Sequence, residues 1–81
     1  MELQLIKGYF DPQEAVEIIT RIIDVKIKYH EGKITSESTM EDIKMRERRI
    51  KQLQKELFEV RQFIGKKEGK ISLNSTITIT D

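Results

Sequence analysis

Between Pro12 and Gly65 the chain carries two long segments whose apolar residues recur at alternating steps of three and four. The first stripe is Ala15, Ile18, Ile22, Val25 and Tyr29; the second is Ile43, Ile50, Leu53, Leu57, Val60 and Ile64. That spacing keeps a residue set on one side of an α-helix and lets two helices zip together. The intervening segment, GKITSEST, has turn chemistry with a single apolar residue, Ile34, to pin it. The two segments therefore read as an antiparallel, coiled-coil-like helical hairpin.

Start and stop signals place the boundaries. Asp11 is a capping residue, Pro12 suits the first helical position, and Glu14 sits where a capping-box acid reaches back. Phe10 can staple against Val16 or Ile19. The first helix is predicted over 12–31 with Gly32 as its stop, and a loop over 32–39. Thr39 to Asp42 repeats the cap, with Glu41 and Asp42 favoured in the first turn by the helix dipole. The second helix is predicted over 40–64, ended by Gly65, and Lys66 to Lys70 form a polar connector.

Both flanks alternate as strands do. Over 2–10, Leu3, Leu5 and Tyr9 are expected on one face and Ile6 and Phe10 on the other. Over 71–80, Ile71, Leu73, Ile77 and Ile79 face one way and Ser72, Asn74, Thr76, Thr78 and Thr80 the other. One strand enters the hairpin base and the other leaves it, so the two can pair antiparallel at its open end. The expected fold class is α+β, mostly α, in the order β-α-α-β over a single small domain, 1–81.

An 81-residue chain is near the lower limit for burying enough surface to fold alone. Its charged fraction is 36%, against roughly 25% in an ordinary domain, which suits exposed helices. There is no cysteine and His30 is the only histidine, so neither a disulfide nor a Cys/His zinc site within one chain can supplement the core. The first helix adds Val16, Ile19 and Ile23 to its stripe, giving an apolar face of roughly 200°, wider than one partner helix covers. The second strand is uncharged, β-branched and free of proline, and an edge of that kind needs cover. A homo-oligomer, dimer or tetramer, is expected, for example two hairpins in a four-helix bundle with their ribbons packed at its ends or joined across the two-fold. An unidentified protein partner is the other candidate.

The opening MELQLIKGYF lacks the basic start and apolar core of a signal peptide, and no apolar run approaches the ~20 residues of a membrane span. The expectation is a cytoplasmic protein with no membrane contact. Asn74-Ser75-Thr76 matches a glycosylation sequon, read as chance without a secretion signal.

No nucleophile–base–acid set, glycine-rich phosphate loop or metal-binding carboxylate cluster is present, so no catalytic residue and no cofactor is expected. Lys26 and His30 are the oddest residues, one turn apart within the apolar face of the first helix. They could form a ligand or catalytic pair, because desolvation lowers a lysine's proton affinity and histidine titrates near neutrality. The preferred reading is structural: Lys26 lies opposite residues 44–47, where Arg46 and Glu47 interrupt the second stripe, and a Lys26–Glu47 ion pair would set helix register. Glu17–Arg21 and Asp24–Lys28 are ordinary i,i+4 pairs.

Charge is uneven: residues 1–43 hold nine acids and five bases, residues 44–70 ten bases and four acids. Lys44, Arg48, Lys51, Lys55 and Lys66 follow one edge of the second helix, a candidate phosphate-facing stripe. Glu41 and Glu59 border it and no aromatic residue interleaves, so nucleic-acid binding is the alternative rather than the leading expectation. Met45, Phe58 and Phe63 lie off the second stripe and either meet another chain or cap the junction of helix and sheet. The sequence thus favours a non-enzymatic, self-associating protein–protein interaction module.

Overall fold

The computed structural model describes all 81 residues. Strand β1 (Glu2–Phe10) leads into helix α1 (Pro12–Gly32), a turn, helix α2 (Met40–Gly65) and strand β2 (Ile71–Thr78). The fold is α+β and mostly α: a helical hairpin whose open end carries a two-stranded antiparallel ribbon.

The N-terminal caps form where the sequence puts them. The Asp11 backbone N–H donates to Glu14 Oε1 at 3.4 Å, and the Asp42 backbone N–H donates to Thr39 Oγ1 at 3.1 Å. The C-terminal stops work differently from expectation. Gly32 and Gly65 are the last residues of their helices, and Lys33 and Lys66 cap them in right-handed conformation. Neither glycine uses a left-handed φ; that conformation falls to Gly69 in the connector, at φ 78°. Gly69 turns the chain into β2, aided by the Lys70 ammonium, 2.8 Å from Asp11 Oδ1.

The α2 side of the hairpin follows its stripe. Ile43, Ile50, Leu57 and Val60 are half-buried, and Leu53 and Ile64 buried, toward α1. The α1 side corrects the expected seam. Of that seam Ala15 is fully buried and Ile18 and Ile22 are half-buried, but Val25 and Tyr29 stand 68% and 57% exposed. Ile23, 8% exposed, and the half-buried Ile27 and His30 lie toward α2 instead. At 100° per residue, Ile23, Ile27 and His30 point about 140° away from the Ile18, Ile22, Val25 and Tyr29 stripe. Helix α1 therefore has two apolar stripes, and α2 covers only one. Both are apolar, so spacing alone could not say which would pack.

The ribbon also departs from simple alternation. Ile6 stands opposite Ser75 and Gln4 opposite Thr76, leaving Leu5 as an extra residue on β1. This bulge shifts the phase of the strand by one residue. Leu3, expected with Leu5 and Tyr9, joins Ile6 and Phe10 instead, opposite Ile77, Ser75 and Ile71. One face of the ribbon is thus continuously apolar and the other carries Gln4, Lys7, Tyr9, Ser72, Asn74, Thr76 and Thr78. Backbone bonds between Met1 and Ile79 (2.7 and 3.0 Å) extend the ladder past Thr78.

The molecule is flat, 48 × 32 × 13 Å, and only Ala15, Ile23, Leu53 and Ile64 are buried. Its radius of gyration is 15.5 Å, against about 12 Å for a compact chain of this length. The core is one seam between two helices, with no second layer over most of either broad side.

Candidate interaction surfaces

The two helices leave a groove of about 420 Å³ beside their seam, lined by Lys26, His30, Arg46, Arg49, Gln52 and Glu56 among others. Arg46 occupies a position of the α2 stripe where an aliphatic residue would continue the pattern. Its Nη1 lies 2.9 Å from His30 Nδ1. A guanidinium only donates, so Nδ1 accepts and the imidazole is neutral with its proton on Nε2. Burial against α2 and the positive charges of Arg46, Arg49 and Lys26 all hold the His30 pKa below its ordinary value. Tyr29 flanks the same site: its ring meets His30 edge-on, with centroids 5.5 Å apart, and carries Lys33 and Arg46 at 5.5 and 5.8 Å.

The expected Lys26–Glu47 ion pair does not form within the chain. Lys26 is exposed at the lip of this groove, and Glu47 lies in a separate hollow with Lys44, Arg48 and Lys51. The reason is the rotation of α1: His30, rather than Lys26, meets the polar break in the α2 stripe. The structure thus joins Lys26 and His30 in one groove and adds Arg46, which the sequence marks only as a break in the α2 stripe, and Arg49, which the sequence does not single out. The signal available was the heptad position of Arg46, one helical step from Ile43 and Ile50. No cluster of three or more acidic or histidine side chains comes together as a metal site would need.

Lys44, Arg48, Lys51, Lys55 and Lys66 are all exposed. By helical phase they run along the back of α2, away from α1. Glu47 interrupts them and no aromatic ring lies among the three that share its hollow. Of the two expected helix pairs, Asp24–Lys28 closes at 2.9 Å and Glu17–Arg21 does not.

The apolar surface is the larger feature. A junction groove of about 370 Å³ is lined by Ile19, Val60, Phe63, Ile64, Ile71 and Leu73. Phe63 therefore borders the junction of helix and sheet, under the Lys67 ammonium 4.5 Å from its ring, yet it stays 63% exposed. Phe58 is equally exposed and lines neither groove. From this junction the apolar ribbon face continues to Leu3, Ile77 and Ile79, all exposed, and Leu5 at the bulge is exposed as well. No helix is long and apolar enough to cross a membrane. No protein-family model, no curated protein and no solved structure matches the chain.

Proposed function

We propose that the protein is a non-enzymatic, self-associating interaction module whose physiological unit contains at least two copies. The observation that carries this reading is surface area. The chain exposes 6736 Å², whereas a compact 9.6 kDa monomer exposes about 5,100 Å². The surplus of about 1,600 Å² per chain lies within the range that obligate homodimers bury on each partner. It is also apolar where it matters: the junction groove and the ribbon face are the surfaces that a second copy would remove from water. A two-stranded ribbon is marginal on its own, which gives the fold itself a reason to associate.

The competing proposal, electrostatic nucleic-acid binding along the back of α2, is supported by the common exposure of its five cations and by nothing that would read or stack a base. Sedimentation equilibrium at micromolar concentration tests the leading reading. A dimer or higher homo-oligomer is expected, and a cooperatively folded monomer would overturn it.

A further inference from the structure

The two edges of the ribbon are unlike. The outer edge of β1 is interrupted by the bulge at Leu5 and carries Glu2 and Lys7, features that discourage strand addition. The outer edge of β2 has none: ISLNSTIT is uncharged, unbulged and free of proline. The hydrogen-bond phase says which groups it presents. Met1 and Ile79 exchange both backbone bonds, so the odd residues Ile71 to Ile79 bond inward to β1. The even residues Ser72, Asn74, Thr76 and Thr78 therefore turn their N–H and C=O groups outward, and all four are exposed. None takes part in any backbone bond outside the helices and the ladder.

Resting on the self-association proposed above, we infer that β2 is the joint: two copies pair their β2 strands antiparallel across a two-fold axis into one four-stranded sheet, β1-β2-β2-β1. Two constraints select the register. Outward groups must meet outward groups, so even residues pair with even ones. The most complete such overlap centres on Ser75, matching Ser72 with Thr78 and Asn74 with Thr76 of the other copy and giving on the order of eight new backbone bonds.

The side chains are self-complementary in that register. On the apolar face Leu73 meets Ile77 and Ile71 meets Ile79, and the small Ser75 meets itself at the axis. On the other face Thr, Asn and Ser meet one another. The exposed strand tips gain cover by the same step. Ile77 and Ile79 of one copy land beside Leu73 and Ile71 of the other, at the mouth of the junction groove where Phe63 stands open. A second copy of this chain supplies, in one contact, the edge, the face and the tip that the single chain lacks.

Ser75 provides a direct test, because directly opposed residues at a non-hydrogen-bonded position sit about 4.5 Å apart at Cα, within the range a disulfide spans. The native chain has no cysteine to compete. Ser75→Cys under mild oxidation is expected to convert the protein to a covalent dimer, while Gln4→Cys, on the β1 side, stays at the collision background. Thr76→Pro removes an outward N–H without touching the β1 ladder. It is expected to halve the mass in solution with the helical circular dichroism retained, whereas Lys7→Pro, the equivalent change on the β1 edge, leaves the mass unchanged.

A monomeric wild type would overturn both self-association and the joint. A wild-type oligomer in which Ser75→Cys cross-links no faster than Gln4→Cys would overturn the joint alone. That comparison stands even where Thr76→Pro fails to fold.

Discussion

Helix α2 has one apolar stripe and α1 has two, and this difference accounts for most of what the molecule does with its surface. In α2, Ile43, Ile50, Leu53, Leu57, Val60 and Ile64 have a single direction to face, and they face α1. In α1, the buried Ile23 and half-buried Ile27 lie toward α2, while on the other stripe Ile18 and Ile22 are half-buried and Val25 and Tyr29 stand exposed. A periodic pattern reports how many neighbours a helix wants. It does not report which neighbour takes which stripe, because that is decided by the rotation that the turn and the ribbon impose on the helix.

The largest test of the comparison exchanges like for like on the two stripes. Ile23→Ala removes buried volume from the seam and should cost about 2–4 kcal/mol of folding stability, as should Leu53→Ala across from it. Val25→Ala, on the outer stripe, should change stability by less than about 0.5 kcal/mol. Urea unfolding at one fixed protein concentration measures all three. A loss at Val25 as large as at Ile23 would mean that the outer stripe is buried in the working molecule, and the distinction between the stripes would collapse.

The sequence was most legible where one physical signal acted without a rival. Asp11-Pro12-Gln13-Glu14 and Thr39 marked the helix starts because capping chemistry is local. The β2 alternation was plain because nothing interrupts it. Legibility failed where two signals competed or where a long-range constraint intervened. The bulge at Leu5 has no glycine or proline to announce it; pairing with β2 creates it, by aligning Leu3 and Ile6 on one face. The Lys26–Glu47 pair follows in the sequence from Lys26 lying in the broad apolar face opposite residues 44–47, but it is His30, one turn further on, that meets the break, through Arg46.

A smaller effect is expected at that polar break. Arg46 interrupts an otherwise aliphatic stripe and makes one hydrogen bond, to His30. Arg46→Leu restores the apolar pattern and releases a long side chain from ordering, at the loss of that bond. His30 Nδ1 is near the surface and can turn to water, so the usual penalty of an unpaired buried group is small here. The net expectation is stabilisation of about 1 kcal/mol, read as a higher urea midpoint with unchanged slope. Destabilisation instead would mean that the Arg46–His30 contact sets the rotation of α1, making the choice of stripe a matter of polar register rather than apolar packing.

The smallest effect is the pH dependence at the same contact, and its sign follows from the shift. The folded state holds His30 below its ordinary pKa, through burial and through Arg46, Arg49 and Lys26. Near and below the unfolded value of about 6.5, the unfolded chain binds a proton that the folded chain resists, so stability rises with pH across that window. The stabilisation is complete above the unfolded pKa and is lost as pH falls through the folded one. Asp11 does not confuse the reading, because its carboxyl, lowered by the Lys70 ammonium, titrates below its ordinary 3.8. Urea midpoints between pH 7.5 and 5.5 should therefore fall in the wild type, and His30→Gln should flatten that slope. Arg46→Leu should flatten it in part, since it removes one of the three charges but not the burial. A wild-type midpoint that does not change over this range would show that His30 is not held against α2, and would place the packed stripe of α1 short of its last turn.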